Sequence, residues 1–194
     1  VIITIGREYG SGGHVIAQDI AKRFNVPYYN RNLIEEVAKQ NNFDTDNIKD
    51  YDESPRKYLF SRTVQGYSNS PEEILAGLQF DFIKEKAASG ESFVIVGRCA
   101  DYVLKNRPNV VSIYIEAPRA FCVERTIANM GVTPEVANAT IERTDKFRAD
   151  YYKYYTHGNY WTNPVNYDLT LNSERVGVEN CVKTIEQYLI IKGF

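Results

Sequence analysis

Hydrophobic residues follow two different spacings in turn along the chain. Residues 1–5 are mostly apolar and all β-branched, as in a buried strand. Ile16, Ile20 and Phe24 follow at a spacing of four, which places them on one face of a helix. Further apolar segments typical of strands lie at residues 26–29, 93–96, 110–115 and 167–171. Strands that alternate with helices predict a parallel sheet with helices on both faces.

Capping residues mark where the later helices begin. Asn32, with Glu35 three positions on, has the form of a capping box. Ser70 followed by Pro71 is a strong helix start, and Gly90 is a suitable helix end. The predicted helices after the first lie at about residues 32–42, 70–89, 118–129, 133–148 and 177–191.

Two segments interrupt this alternation. Residues 43–57 are polar and rich in Asp, which predicts a mobile loop or an insertion. Residues 151–166 are aromatic but include Gly158 and Pro164, so we do not expect them to be helical throughout. The tyrosines of this segment fit packing, an interface or the aromatic wall of a closing lid.

Composition fits one α/β domain with a real core. The chain has 194 residues, 43% of them hydrophobic and 25% charged, as in ordinary soluble proteins. The net charge of −2 gives no sign of a nucleic-acid or membrane surface, and no apolar run reaches membrane-spanning length. Cys99, Cys122 and Cys181 are scattered, which predicts reduced thiols in a cytoplasmic protein.

Four glycines lie between the first strand and the first helix, within residues 6–13. Glycine allows positive φ, so the backbone N–H groups of such a loop can point into one concavity. The start of a helix adds its own unpaired N–H groups and the positive end of its dipole. The loop therefore predicts phosphate binding more strongly than an ordinary strand–turn–helix connection.

This loop departs from the standard P-loop, which has Gly, four residues, Gly-Lys and then Ser or Thr. If Gly12 is the second glycine, Arg7 occupies the first glycine position, Gly13 the lysine position and His14 the hydroxyl position. The dinucleotide-binding fingerprint fits worse, since Val15 occupies its third glycine position. Arg7, Ser11 and His14 are the nearby side chains that could replace the lysine and the hydroxyl.

Other loops at the carboxyl ends of the predicted strands carry arginines. Ligands of parallel sheets bind beyond these ends, and the loops expected there include residues 30–32 and 97–101. Arg31 lies in the first of these loops and Arg98 in the second. Arginines beside a glycine cradle favour binding of phosphate groups.

The chain resembles the cytidylate kinase-like family of P-loop nucleoside monophosphate kinases. The resemblance covers most of the length and rests on segments 5–13, 27–31, 97–101, 124–125, 142–148 and 167–172. It implies a single α/β domain over residues 1–194, a three-layer α/β/α P-loop kinase-like fold with a parallel sheet of about five strands. Residues 43–90 would be an acceptor-side insertion, and residues 131–165 would be a lid.

The resemblance also implies an activity, namely ATP-dependent transfer of the γ-phosphate, with Mg²⁺, to a nucleotide or other small phosphate-bearing acceptor. It implies no nucleic-acid or membrane partner and leaves the oligomer open, a homodimer included. The implied catalytic residues are Arg98, Arg143 and Arg148. The implied ATP-binding residues are Arg7, Tyr9, Gly10, Ser11, Gly12, Gly13, His14, Arg125 and Asn172. The implied acceptor-binding residues are Asn30, Arg31, Gly97 and Asp101, and no residue is assigned to a metal.

The missing lysine leaves alternatives open. One is a nucleotide-binding regulator that has lost turnover, and another is an interaction protein with a vestigial cradle. If the chain is an enzyme, the hypothesis is that Arg143 and Arg148 bring in the missing charge from the lid. Their spacing also fits surface salt bridges. Asp101 also fits a plain helix start, and Cys99 fits a small core residue better than a nucleophile.

Overall fold

The computed structural model describes residues 1–30, 32–41, 63–64, 67–68 and 70–194. The predicted site residue Arg31 and the predicted loop at 43–57 lie outside the described residues. In chain order the elements are β1 (Ile2–Arg7), α1 (Gly13–Phe24), β2 (Tyr28–Tyr29), α2 (Leu33–Asn41), β3 (Thr63–Val64), β4 (Tyr67–Ser68), α3 (Pro71–Ala88), β5 (Phe93–Val96), α4 (Ala100–Val103), β6 (Val110–Glu116), α5 (Arg119–Met130), α6 (Pro134–Tyr155), a 3₁₀ helix (Pro164–Asn166), β7 (Leu169–Asn172), α7 (Ser173–Val176) and α8 (Val178–Ile191).

Five strands form the parallel sheet that the alternating pattern predicts, in the order β2-β5-β1-β6-β7. The central strand β1 pairs with β5 through Ile2 and Phe93, and with β6 through Ile2 and Val110. Strands β3 and β4 form a separate antiparallel pair. The carboxyl ends of the five parallel strands therefore meet at one edge of the sheet.

Helices cover both faces of this sheet, because successive side chains of a strand point to opposite faces. Ile3 and Ile5 pack with α1 and α8 in one hydrophobic cluster. Ile2 packs with α2, α3 and α4 in another. The three-layer α/β/α fold expected from the sequence is confirmed.

The second half of the chain differs from the sequence prediction in three details. Helix α6 continues through Tyr155, because Tyr151 and Tyr152 are buried against Tyr114 and Trp161. Strand β7 begins at Leu169, two residues later than predicted. The short helices α4 and α7 and the 3₁₀ helix were not predicted. Within the described part of the chain, no helix combines the length and apolar character needed to cross a membrane.

The glycine loop connects β1 to α1 at the carboxyl edge of the sheet. Gly10 and Gly12 both have the left-handed backbone conformation, with φ of 82° and 86°. A Cβ at Gly10 would lie 2.6 Å from the carbonyl oxygen of Cys122 on α5. Glycine is therefore required at position 10 both for its conformation and for the close approach of α5.

Candidate functional site

Two adjoining cavities lie beyond the carboxyl ends of the strands. The loop cleft, of about 300 Å³, is lined by Arg7, Glu8, Tyr9, Gly10, Gly12, Gly13, His14, Val15, Asn30, Arg125, Thr126, Asn129, Met130 and Arg148. The inner cavity, of about 30 Å³, is lined by Gly6, Arg7, Gly97, Arg98, Cys99, Asp101, Arg148, Tyr151, Tyr152, Trp161 and Tyr167. Arg7 and Arg148 line both cavities, so they lie between the glycine loop and the end of β5.

Contacts within the protein fix the shape of the glycine loop. The Ser11 hydroxyl donates to the carbonyl of Glu8 at 2.9 Å, and the Ser173 hydroxyl donates to the carbonyl of Ser11 at 2.5 Å. Arg125 Nε donates to the carbonyl of Gly10 at 3.1 Å. Ser11 is fully buried and its hydroxyl faces the loop's own backbone, so its side chain supports the loop and does not line the cleft.

Three arginines reach the inner cavity from three different elements. Arg7 ends β1 and is 8% exposed, and Arg98 follows β5 and is 1% exposed. Arg148 comes from α6 and donates to the carbonyl of Arg7 at 3.3 Å. Removing a guanidinium from water is costly unless charges or hydrogen bonds compensate. Three of them lie around this cavity, and the hydrogen bonds of Arg98 and Arg148 supply part of that compensation.

Arg98 is held by an unusual turn. Gly97, Arg98 and Cys99 are consecutive residues in the left-handed region, with φ of 77°, 54° and 50°. For a residue other than glycine this conformation costs on the order of 1 to 3 kcal/mol, and such strain concentrates at functional sites. Arg98 Nη1 donates to the carbonyl of Val96 at 3.0 Å and to Asn30 Oδ1 at 3.4 Å. The turn therefore directs the Arg98 side chain back toward the strand ends.

Two carboxylates tie the start of the loop to its neighbours. Glu8 Oε2 accepts from the backbone N–H of Ala117 at 3.0 Å. Asp145 Oδ1 accepts from the backbone N–H of Tyr9 at 2.9 Å and from Arg148 at 3.2 Å. Burial raises the pKa of both carboxyls, and Asp145 raises the pKa of Glu8 further. Neither residue is among the site residues predicted from the sequence, although the spacing of Asp145 and Arg148 places them on one helix face and could have indicated the pair.

His14 crosses the mouth of the loop cleft. Its Nδ1 lies 2.6 Å from the hydroxyl of Tyr28 and 2.9 Å from Nδ2 of Asn30. Tyr28 and Asn30 thus both contact the same nitrogen of the His14 ring. His14 therefore links the start of α1 to the end of β2, where Asn30 also reaches Arg98.

The structure gathers most of the predicted site residues and leaves some apart. Arg143 is exposed on α6 and lines neither cavity. Asn172 caps α7, where its Oδ1 accepts from the N–H of Arg175 at 3.1 Å, and it also lines neither cavity. The predicted residues that line the loop cleft or the inner cavity are Arg7, Tyr9, Gly10, Gly12, Gly13, His14, Asn30, Gly97, Arg98, Asp101, Arg125 and Arg148.

A larger cavity of about 490 Å³ lies on the other side of Asp101. Asp101, Tyr152 and Tyr167 separate it from the inner cavity, and its own lining includes Lys105 and Lys192. The glycine loop and the three arginines are absent from this lining. Size alone therefore does not identify the candidate site.

Asp101 lies at the wall of the inner cavity, and the Tyr152 hydroxyl donates to its Oδ2 at 2.6 Å. Burial raises the pKa of Asp101 from its usual 3.8 to about 6, against the opposing effect of the Tyr152 hydrogen bond. Because the folded state binds the proton more tightly, this group stabilises the fold below about pH 4, and that contribution is lost as the pH rises to about 6.

We expect Asp101→Asn to remove this pH dependence while keeping an acceptor for Tyr152. Between pH 4 and pH 7 the free energy of unfolding of the parent should fall, relative to the variant, by roughly 3 kcal/mol at most. Urea unfolding of both proteins across this range measures the difference. Parallel curves for the two proteins would show that Asp101 titrates normally.

Comparisons with known proteins identify the family of the chain and its fold. The sequence profile of the cytidylate kinase-like family matches residues 2–175. A crystal structure of an uncharacterized protein from Eubacterium ventriosum ATCC 27560 is 31% identical, covers 97% of each chain and superposes with a TM-score of 0.77. No curated protein gives a significant match.

More distant solved structures share the fold. Shikimate kinase from Bacteroides thetaiotaomicron is 12% identical over 97% of this chain and 98% of its own, with a TM-score of 0.57. Shikimate kinase from Aquifex aeolicus is 16% identical over 100% of this chain and 98% of its own, with a TM-score of 0.53. At such identities the likeness concerns the fold alone. The family match over most of the length shows that the chain belongs to the cytidylate kinase-like family.

Proposed function

We propose that this protein is an ATP-dependent phosphotransferase that passes the γ-phosphate of ATP to a small phosphate-bearing acceptor. The observation that carries the proposal is the convergence of Arg7, Arg98 and Arg148 on a cavity beside the glycine loop. Phosphoryl transfer depends mainly on positioning two substrates and on neutralising charge. Buried arginines and a helix start supply both requirements.

On the donor side, the triphosphate of ATP binds along residues 10–14 and the start of α1. Backbone N–H groups at a helix start bind phosphate oxygens, and Arg125 adds a cation at the same cleft. Among the described residues there is no group of three or more His, Cys, Asp or Glu side chains suited to a metal ion. When bound with ATP, Mg²⁺ would be held mainly by phosphate oxygens and water, as Mg²⁺ commonly is at such sites, and the Glu8 carboxylate lines the same cleft.

On the acceptor side, Arg98 and Asn30 bind the acceptor phosphate, with Asp101 as a further acceptor-side residue at the wall of the inner cavity beside Arg98. A nucleoside monophosphate is the acceptor class that the family favours, with CMP as the first compound to test. The acceptor-side region is residues 43–90, within which Ala76 of α3 packs near Cys99. Residues 131–165 form the lid region, in which α6 carries Arg148 to the loop.

A regulator that binds nucleotides without turnover is the second candidate. It is favoured by Gly13 and His14, which occupy the lysine and hydroxyl positions of the P-loop pattern. Both candidates predict that ATP raises the melting temperature. Only the enzyme releases ADP in proportion to an added acceptor. A coupled assay for ADP across a panel of nucleoside monophosphates separates the two, since release without dependence on any acceptor contradicts the transferase.

Gly12→Val is expected to abolish stabilisation by ATP. A Cβ at position 12 would lie 3.3 Å from Arg125 Nη2 and 3.2 Å from Val178, so the side chain would fill the cradle. In the parent, ATP at one hundred times its dissociation constant should stabilise the fold by about 2.7 kcal/mol. Thermal melting with and without ATP measures this effect.

Gly90→Val is the matched control for this experiment. Gly90 has a similar φ of 81°, but a Cβ there would meet no atom within 4 Å. We expect this variant to lose stability through backbone strain and to keep its response to ATP. If Gly12→Val folds and still melts higher with ATP, the loop does not bind the phosphates.

A further inference from the structure

The glycine loop carries a cation where the P-loop pattern has a glycine, and a glycine where the pattern has its lysine. The pattern places glycine at its first position and lysine six positions later. Here the first position carries the cation Arg7, and the lysine position carries Gly13. At these two of the three positions that differ, glycine and the cationic residue have exchanged places, while the third, the hydroxyl position, carries His14.

The structure gives a steric reason why the two positions are linked. A Cβ at Gly13 would lie 2.5 Å from Cβ of Arg7 and 3.2 Å from its Cγ. Cβ atoms in real proteins do not approach other atoms this closely. Position 13 therefore cannot carry a side chain while position 7 carries one.

Space, not conformation, accounts for the glycine at position 13. Gly10 and Gly12 have positive φ, whereas Gly13 is the first residue of α1 and is not among the residues with positive φ. Its backbone conformation suits other residues, and Arg7 is the neighbour that a Cβ there would overlap, with Ile115 Cβ a tight but lesser contact at 3.3 Å. Gly13 thus makes room for the stem of Arg7.

Arg7 is also placed where a transferred phosphate would pass. It is buried and lines both the loop cleft and the inner cavity. Its charge lowers the pKa of Tyr28 on one side and of Asp145 on another, against the larger effect of burial. Arg148 donates to its carbonyl at 3.3 Å, which fixes the backbone from which the side chain extends.

We propose that Arg7 replaces the P-loop lysine, supplying from the end of β1 the charge that a lysine would supply from the start of α1. The proposal rests on the proposed transferase function. Arg7 binds oxygens of the donor phosphates and of the phosphoryl group in transit, and its planar guanidinium can hold two of them at once. Gly13 is the compensating change that admits it.

The first test removes the charge and keeps the stem. Arg7→Met retains the methylene groups that pack on Gly13, whereas Arg7→Lys retains a cation. We expect Arg7→Met to lower kcat on the order of a thousandfold, which is the usual effect of removing an arginine that contacts the transferred phosphoryl group. Arg7→Lys should keep at least about tenfold more turnover than Arg7→Met. Arg23→Ala, which removes an exposed arginine paired with Glu186, is the control and should match the parent.

The second test moves the charge back to the P-loop position. Arg7→Gly should lose turnover as Arg7→Met does, and Gly13→Lys alone should unfold or lose turnover because the two side chains collide. The double variant Arg7→Gly/Gly13→Lys should recover at least about tenfold over Arg7→Gly, a coupling that distant, independent positions do not show. Turnover of Arg7→Met at the parent level, or a double variant no better than Arg7→Gly, would overturn the proposal.

If the protein is not a transferase, the assays give a result that differs from a failure of the Arg7 proposal. If the parent releases no ADP with any acceptor, the function is wrong, and the role of Arg7 is then measured by ATP-dependent melting. The response should be lost in Arg7→Met and regained in the double variant. An unchanged response in Arg7→Met, or no response in the parent, contradicts the role of Arg7 as well.

Discussion

Replacing Arg148 with alanine is expected to lower turnover on the order of a thousandfold, while affinity for ATP changes by less than about tenfold. Arg148 lines both cavities and is held by Asp145 at 3.2 Å and by the carbonyl of Arg7 at 3.3 Å. It therefore lies between donor and acceptor, where charge develops during transfer. A contact that strengthens in the transition state affects kcat more than substrate binding.

The comparison for this variant is Arg143→Ala on the same helix. Arg143 is exposed, so its removal should cost less turnover than removal of Arg148. Steady-state kcat and the dissociation constant of ATP for both variants decide the point. Equal turnover of Arg148→Ala and the parent, in protein shown by circular dichroism to be folded, would remove Arg148 from the mechanism.

Replacing Arg98 is expected to raise the KM of the acceptor by about a hundredfold and to leave ATP affinity nearly unchanged. Removing one partner of a buried hydrogen-bonded charge pair typically costs about 2 to 5 kcal/mol of binding free energy. A hundredfold change in KM corresponds to about 2.7 kcal/mol, which lies within this range. Arg98 lines the inner cavity, and the loop cleft that would hold ATP does not include it.

Because Arg98 is 1% exposed, its replacement must preserve packing. Arg98→Met keeps most of the volume and removes the charge, and Arg98→Lys keeps a charge without the planar fork. We expect the KM of the acceptor to rise most for Met and less for Lys. Equal loss of affinity for ATP and acceptor, or no loss for either, would contradict the assignment of Arg98 to the acceptor phosphate.

Local signals explain why the sequence predicts most of the fold. Strand β5 is a continuous apolar run, and α3 starts at Ser70 and Pro71, so spacing and capping suffice to place them. The glycine loop is likewise local, because its glycines are consecutive or nearly so in the chain. The last turns of α6 depend on packing between distant segments, so the helix predicted from the sequence ends too early, at residue 148.

The candidate site was less predictable for the same reason. Arg143 and Arg148 are five residues apart on a helix and point about 140° apart, so only one can face the loop. Which one does so depends on how α6 packs. The left-handed turn at Arg98 and Cys99 has no local signal beyond Gly97. The collision between positions 7 and 13 likewise appears only once β1 and α1 are placed together.

Transfer of labelled phosphate is the most direct test of the central claim. The parent is incubated with Mg²⁺, ATP radiolabelled in its γ-phosphate and each nucleoside monophosphate in turn, and the acceptor is separated and counted. We predict label on at least one acceptor, at a rate lowered on the order of a thousandfold in Arg7→Met. Label that stays in ATP or appears only as inorganic phosphate with every acceptor would contradict the account.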